Sequence, residues 1–192
     1  MNTRTIFFAA ALLSLLILAA GCGRKQKNNE PAADPAAAQV DEPDMSQYMP
    51  NLRMGTEAPD FEAPDILGKP VKLNDFRGSY VVLDFWATWC KDCRAEMPAM
   101  KDLYNTYGPK GVQFLGVSFD TDIQTLIDYG VENEIAWMNV CNQVKWKENP
   151  ISAAYDLHWI PTMFLISPEG MLAGVCFHAS DMRTMLEDAL DD

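Results

Sequence analysis

Two cysteines with the chemistry of a redox pair, Cys90 and Cys93, are separated by two residues near the middle of the chain. The apolar residues 80–87 before them predict a strand buried in a sheet, and residues 94–107 after them predict a helix. The pair would then lie where a strand passes into a helix, with the first sulfur at the helix N-terminus. Free backbone N–H groups and the helix dipole favour a thiolate over a thiol at that position. Because a thiolate is the nucleophile of thiol–disulfide exchange, the spacing predicts that chemistry.

Other uses of a Cys-x-x-Cys pair fit this chain less well. A zinc site would need a second pair of ligands, and the remaining cysteines and histidines lie at unsuitable spacings. Attachment of c-type haem needs a histidine directly after the second cysteine, where this chain has Arg94. A purely structural disulfide would stabilise little because its loop holds two residues, and Trp89 beside the pair indicates a recognition surface.

Three further cysteines lie outside the pair. Cys22 ends the N-terminal apolar segment, and Cys141 and Cys176 lie in the C-terminal part of the chain. We expect the last two to be buried free thiols, with a disulfide between them as an open alternative. Cys176 and His178 share one face of a predicted strand, so a metal-binding or copper-delivery module is a second hypothesis.

The N-terminal segment predicts export of the chain. Residues 6–20 are almost wholly apolar and follow the basic Arg4, as in a secretory signal peptide, and the run is too short for an ordinary membrane span. Small residues directly before Cys22 resemble the lipobox of bacterial lipoproteins. That resemblance implies a signal peptide over residues 1–21, removed before a cysteine that is then lipidated. A plain signal peptide with an incidental cysteine is the alternative.

The rest of the chain divides into a linker and one domain. Residues 22–54 are rich in proline and alanine and have little apolar periodicity, which predicts a flexible, lipid-anchored tether. Residues 55–192 are long enough for one domain with a substantial core. The formal net charge of −12 argues against nucleic-acid binding, which needs a basic surface. It favours simple solubility in an extracytoplasmic space that permits disulfides.

Strand and helix patterns alternate within the domain, after a short β-hairpin predicted in residues 60–75. The order predicts an α/β fold with right-handed parallel crossovers, and a tight turn at residues 167–170 adds one antiparallel pair. Ser180 is the expected N-cap of the final helix. The predicted strands cover residues 80–86, 112–119, 136–141, 163–166 and 171–178, and the predicted helices cover residues 90–107, 121–133, 149–156 and 181–190.

The domain resembles the thioredoxin superfamily, and within it the membrane-tethered TlpA/ResA-like thiol–disulfide oxidoreductases. The features that carry the resemblance are the strand and motif of residues 82–93, Glu96 and Pro98 in the next helix, residues 159–162, and a helix–strand piece at residues 121–141. The resemblance implies a thioredoxin fold, which is a central mixed β-sheet flanked by helices. An N-terminal β-hairpin and an inserted helix–strand unit would complete it.

The same resemblance implies roles for the residues around the motif. Cys90 would be the exposed attacking thiolate, and Cys93, one turn further into the helix, would resolve the mixed disulfide. Asp84 matches the buried acid behind the motif in thioredoxin. Its apolar strand should raise the pKa of its carboxyl, which could then accept the Cys93 proton. Glu96 matches the helix glutamate of ResA-like members, near the cysteines.

A second group of residues would form the substrate-facing side of the site. Pro161 would be cis and face the disulfide, and Ile160 would offer backbone hydrogen bonds to an extended substrate. Trp89 would shape the rim. Between the cysteines, where these families often have proline second, lie Lys91 and Asp92. Lys91 should favour the thiolate and Asp92 should oppose it, so the preferred direction of electron flow stays open.

The resemblance also implies the setting of the reaction. No bound cofactor would be needed, and the partners would be protein thiols and disulfides together with a membrane electron donor. The protein would be lipid-anchored in the bacterial cell envelope, facing the periplasm or extracytoplasmic space, and would reduce partner disulfides in cytochrome c maturation or oxidative-stress defence. A thiol peroxidase of the peroxiredoxin type is a further alternative. It needs Pro and Thr or Ser seven and three positions before the cysteine, where this chain has Leu83 and Ala87.

Overall fold

The structure is a computed structural model that describes residues 44–191 of the chain. The predicted signal peptide, Cys22 and the first part of the predicted linker lie outside these residues. Within residues 44–191, no helix combines the length and the apolar character needed to cross a membrane.

A small antiparallel hairpin opens the domain, where the sequence predicted one. Its strands are β1 (Glu62–Pro64) and β2 (Pro70–Lys72), and Ala63 lies opposite Val71 in the centre. Both central residues are buried, while their neighbours are more exposed. The hairpin therefore presents one apolar side to the core, as the period of a half-buried strand requires.

A five-stranded mixed sheet forms the centre of the domain. Its strands are β3 (Val81–Trp86), β4 (Gln113–Ser118), β5 (Met138–Val140), β6 (Thr162–Ile166) and β7 (Leu172–Cys176). They are ordered β5-β4-β3-β6-β7. β4 runs parallel to β3 and β5, whereas β6 runs antiparallel to β3 and β7. This confirms the predicted α/β class and mixed sheet.

Among residues 44–191, four α-helices connect or follow the strands. They are α1 (Lys91–Tyr107), α2 (Ile123–Glu132), α3 (Pro150–Ala154) and α4 (Ala179–Asp191). α1 leads from β3 to β4, and α2 leads from β4 to β5. The pair formed by α2 and β5 is the helix–strand unit that the sequence predicted at residues 121–141.

The central strand β3 is buried on both faces, as its continuous apolar sequence predicted. On one face, Phe85 packs against Tyr155 and Phe164, with ring centroids 4.8 Å and 5.9 Å away. On the other face, Trp86 contacts Tyr129 of α2 at a centroid distance of 5.7 Å. Because both layers pack on β3, its C-terminal end is held firmly at the point where the chain enters the motif.

Part of the segment assigned to the tether from sequence packs against the domain. Tyr48 ends a short 3₁₀ turn (Met45–Tyr48) and packs against Trp159 in a tilted arrangement, with ring centroids 4.9 Å apart. The Asn51 N–H donates to the carboxylate of Asp156 at 2.9 Å. The packed part of the chain therefore begins before the boundary that composition predicted.

The beginning of α4 also differs from the prediction. Ser180 was expected to be its N-cap, but the helix starts at Ala179 and Ser180 lies inside it. The Ala179 N–H donates instead to Glu96 Oε2 on α1 at 2.8 Å, across 83 positions of sequence. A local capping pattern could not show this, because the acceptor comes from a distant element.

Gly116 of β4 leaves room for a buried hydrogen bond from Trp86 Nε1 to Asn139 Oδ1, 2.9 Å long. A Cβ at Gly116 would lie 2.9 Å from Trp86 Nε1 and would overlap the Asn139 amide. We expect Gly116→Ala to lower the free energy of unfolding by about 2–3 kcal/mol, because it breaks this bond and overpacks the core. Urea unfolding would measure the loss.

Gly130→Ala is the matched control for this variant. Gly130 lies in α2, and a Cβ built there meets no atom within 4 Å. Alanine should therefore leave the free energy of unfolding unchanged or raise it by up to about 1 kcal/mol. An equal loss in both variants would contradict the packing explanation.

Candidate active site

The motif cysteines lie at the beginning of α1, as the sequence predicted. Cys90 is the N-cap residue, Cys93 lies in the first turn, and the two form a disulfide. The Cys93 N–H donates to Cys90 Sγ at 3.1 Å. The first sulfur therefore lies at the positive end of the helix dipole, where a thiolate is stabilised once the pair is reduced.

Cys90 is less exposed than predicted. The accessible fraction is 8% for Cys90 and 3% for Cys93, whereas the preceding Trp89 is 53% exposed. Lys91 and Asp92, between the cysteines, are also exposed. The disulfide is thus recessed, and the residues that a partner meets first are its neighbours in sequence.

The Ile160–Pro161 peptide bond is cis, as predicted, and lies directly before β6. The Ile160 carbonyl oxygen lies 3.5 Å from Cys90 Sγ, so this loop faces the first sulfur. Thr162 Oγ1 donates to the Trp159 carbonyl at 2.7 Å and closes the loop on itself. Because β3 and β6 pair directly, the sheet brings the motif and this loop together.

Asp84 is a buried acid inside β3. Only 4% of its surface is accessible, and its Oδ1 has no hydrogen-bond partner among residues 44–191. Burial raises the pKa of its carboxyl to about 7, and the charge of Glu96 adds to the rise. The direction is the one predicted from its apolar strand. A carboxyl that titrates near neutral pH is suited to accept and return a proton.

Glu96 lies on α1, one helical turn after Cys93, and joins that helix to the start of α4. Its Oε1 lies 3.1 Å from His178 Nδ1, and its Oε2 accepts the Ala179 N–H. Glu96 therefore has two partners and a partly buried side chain, and its charge reaches Asp84. The sequence placed it near the site but gave no sign of its partners at the beginning of α4, His178 and Ala179.

Asp120, which the sequence analysis did not single out, holds the loop before the motif. It follows β4, is buried, and accepts the Thr88 N–H at 3.0 Å and the Thr88 hydroxyl at 2.6 Å. Ser118 Oγ donates to the same carboxylate at 2.7 Å, and Arg94 donates to the Thr88 carbonyl at 3.3 Å. A signal for this contact was present in the sequence. Parallel strands β3 and β4 end at the same edge of the sheet, so the polar residues that follow them, Thr88 and Asp120, are expected to meet there.

Cys141 and Cys176 are free, buried thiols, as expected by default. Cys141 directly follows β5 and Cys176 ends β7, at the two opposite edges of the sheet. Four strand-to-strand steps separate them, about 19 Å at about 4.8 Å a step. The Cα atoms of a disulfide lie within about 7 Å, so the alternative of a bond between them is wrong.

Comparisons with known proteins identify relatives of this sequence. The profile described as the AhpC/TSA family matches residues 54–175. A protein of Bacillus thuringiensis (strain Al Hakam), named Thiol-disulfide oxidoreductase ResA, is 37% identical over 126 residues, which cover 62% of this chain and 66% of that protein. The match spans just under two thirds of the relative's length.

Solved structures share the architecture of the domain. The thioredoxin domain of a thiol-disulfide oxidoreductase from Bacteroides vulgatus superposes with a TM-score of 0.65 at 30% identity, over 71% of this chain and 97% of that one. A thiol:disulfide interchange protein from a Bacteroides species gives a TM-score of 0.66 at 29% identity, over 73% and 92% of the two chains. The domain therefore has the thioredoxin fold predicted from sequence.

The raised pKa of Asp84 predicts that stability depends on pH. The ordinary value is 3.8 and the folded value about 7, so between them the folded state keeps a proton that the unfolded chain has released. The free energy of unfolding should therefore fall as the pH rises through this window. We expect Asp84→Asn to raise it by roughly 3–4 kcal/mol at about pH 8 and to change it little near pH 4.

Urea unfolding at both pH values measures this difference. Asp188→Asn, which removes an exposed aspartate of α4, controls for the loss of a surface charge. A gain in stability that is equal at the two pH values, or that also appears in Asp188→Asn, would contradict the role assigned to the buried carboxyl.

Proposed function

The chain belongs to the AhpC/TSA family, and from that premise we propose that it is a thiol–disulfide oxidoreductase that acts on partner proteins through Cys90 and Cys93. The observation that carries the proposal is the position of the pair. Cys90 caps α1 and faces the cis-proline loop at Ile160, while the buried Asp84 lies in the strand that leads to the motif. The named relatives and structural neighbours support the same activity.

The reaction begins with the reduced pair. The Cys90 thiolate attacks one sulfur of a partner's disulfide, a new S–S bond forms, and the partner's own S–S bond breaks. The sulfur that leaves takes a proton from water. Cys93 then gives its proton to Asp84 and attacks Cys90 Sγ, which breaks the mixed disulfide. The second partner sulfur leaves and is protonated, so the partner gains two electrons and two protons while the Cys90–Cys93 disulfide forms.

The substrate that best suits the recessed sulfur is an extended segment of a protein. Exposed Trp89, Lys91 and Asp92 form the rim on the motif side, and the backbone of Ile160 lies on the other side of Cys90. An extended chain reaches a recessed sulfur more readily than a rigid surface does, and it brings backbone groups for hydrogen bonding.

We propose that the reaction takes place in the cell envelope. The signal-like residues 1–21 and the lipobox-like Cys22 support export and a lipid anchor in the cell envelope. A membrane electron donor would then return the pair to its reduced state. Partners with this need include proteins whose cysteines must be reduced outside the cytoplasm, as in cytochrome c maturation.

We propose that the pair is a reductant. Asp92 beside the cysteines and Asp84 behind them bring negative charge, which disfavours a thiolate, and Lys91 opposes only part of it. A reduced form that is not strongly stabilised gives a low reduction potential, whereas a strongly stabilised thiolate makes an oxidant.

Cys93→Ser should trap partners of the protein. The variant keeps the attacking sulfur but cannot resolve the mixed disulfide, so we expect covalent complexes through Cys90 that dithiothreitol releases. Non-reducing electrophoresis of envelope extracts would measure them. Cys90→Ser with Cys93→Ser is the matched control and should trap none. The proposed function is wrong if Cys93→Ser traps no partner and the wild type fails to catalyse the reduction of insulin by dithiothreitol.

The reduction potential tests the direction of electron flow. We expect a value closer to the roughly −270 mV of thioredoxin than to the roughly −120 mV of the oxidant DsbA, measured by equilibration with glutathione. Asp92→Asn should raise the potential by about 10–30 mV, because it removes a negative charge that disfavours the thiolate. Lys91→Gln should lower the potential, because it removes a positive charge that favours the thiolate. A wild-type potential near −120 mV would show that the protein is an oxidant.

A further inference from the structure

His178 is the exposed end of a series of groups that begins at the buried Asp84. His178 Nδ1 lies 3.1 Å from Glu96 Oε1, and Glu96 Oε2 accepts the Ala179 N–H at 2.8 Å. The side chain of His178 is 50% exposed and that of Glu96 is 24% exposed, against 4% for Asp84. The three groups thus lead from solvent to the central strand behind the motif.

Sheet register relates Asp84 to Cys176, and Glu96 binds the backbone three residues after Cys176. Asp84 and Cys176 are aligned across β3, β6 and β7, so their side chains share one face of the sheet. Burial raises the pKa of Cys176 to about 12, and the charges of Asp181, Asp84 and Glu96 add to the rise. Both carboxylates therefore act on the same thiol, and Glu96 also acts directly on Asp84.

The titratable groups that face this cluster come from each element around it. α1 contributes Glu96, β7 contributes Cys176, and α4 contributes Asp181, with His178 between β7 and α4. Of these groups, His178 is the one able to carry a positive charge. The charge of the His178 ring therefore determines how much of the surrounding negative charge is offset.

The hydrogen bond fixes how His178 can change. An ionised carboxylate only accepts hydrogen bonds, so a neutral His178 must donate to Glu96 from Nδ1 and keep its lone pair on Nε2. A proton added at Nε2 makes the ring positive. Histidine is in general the side chain that can be either neutral or positively charged between pH 5 and 8.

We propose that His178 is a positioning residue that binds Glu96 and, through the charge of its ring, sets the negative charge felt by Asp84 and so the pH range in which Cys93 is activated. When the ring is positive, it offsets the charge of Glu96, and Asp84 ionises more readily. When the ring is neutral, the charge of Glu96 is not offset, and it disfavours ionisation of Asp84. The consequence for Cys93 rests on the proposed function, but the effect on Asp84 does not.

The test is an NMR titration of the Asp84 carboxyl carbon in the oxidised full chain. His178→Gln keeps a hydrogen-bond donor without a charge, and should raise the midpoint by about half to one pH unit. His178→Arg holds a permanent charge there and should lower the midpoint by about the same amount.

His158→Gln is the matched control. His158 Nε2 lies 3.2 Å from Asp156, and its side chain is also 50% exposed, but it lies in the loop before the cis-proline. It should leave the Asp84 midpoint unchanged. The inference is overturned if both His178 variants leave the midpoint in place, if they move it in the same direction, or if His158→Gln moves it equally.

Insulin reduction across the pH range separates this inference from the proposed function. If the wild type reduces insulin, the pH profile of the rate should move in the same directions as the Asp84 midpoint in the two His178 variants. A wild type that never reduces insulin would overturn the proposed function and leave the titration result standing. An active wild type with an unmoved midpoint would overturn the role of His178 alone.

Discussion

A strand that is buried on both faces has little tolerance for a polar side chain, and β3 carries one in its centre. Asp84 lies among apolar neighbours, with one oxygen that has no hydrogen-bond partner among the described residues. Removing a carboxylate from water costs free energy, so burial raises the pKa of Asp84 to about 7. Both the neutral and the charged form are therefore accessible near neutral pH. The motif, the helix after it and the acids around it are arranged about that one desolvated group.

The position of the sulfur depends on contacts from three separate parts of the chain. Asp120 at the end of β4 fixes Thr88 two residues before the motif, and the Ile160 carbonyl meets Cys90 from the loop before β6. Glu96 fastens α1 to the beginning of α4. Each contacting residue lies in a helix or within two residues of a strand, so the sheet and its helices position the reacting atoms.

Local patterns in the sequence were sufficient to predict the strands and helices around the motif and the position of Cys90 and Cys93. The apolar run of β3, the helix after it and the spacing of Cys90 and Cys93 are all adjacent in sequence, and each was found in its predicted place. The contacts that complete the site span much longer separations, 32 positions for Thr88 with Asp120 and 82 for Glu96 with His178. They depend on how elements pack, and no propensity or periodicity of the segments themselves encodes them.

The same separation explains the errors in the sequence-based predictions. Ser180 has the right chemistry for an N-cap, but Glu96 from another helix takes that place. Cys90 is recessed because the loop at Ile160 covers it, which a helix start alone does not reveal. Residues before 55 have a tether's composition, yet Tyr48 finds an aromatic partner on the domain.

The sulfur of Cys90 is also the group that caps α1, since it accepts the Cys93 N–H. A thiolate is a stronger acceptor than a sulfur bound in a disulfide, and it carries a full charge at the positive end of the dipole. The helix therefore has two caps of different strength, one for each oxidation state. Helix formation and reduction of the pair form a closed thermodynamic cycle. If the thiolate cap stabilises α1 more than the disulfide cap does, the pair is easier to reduce by the same free energy. The difference in stability of α1 between the two oxidation states therefore contributes directly to the reduction potential of the cysteines.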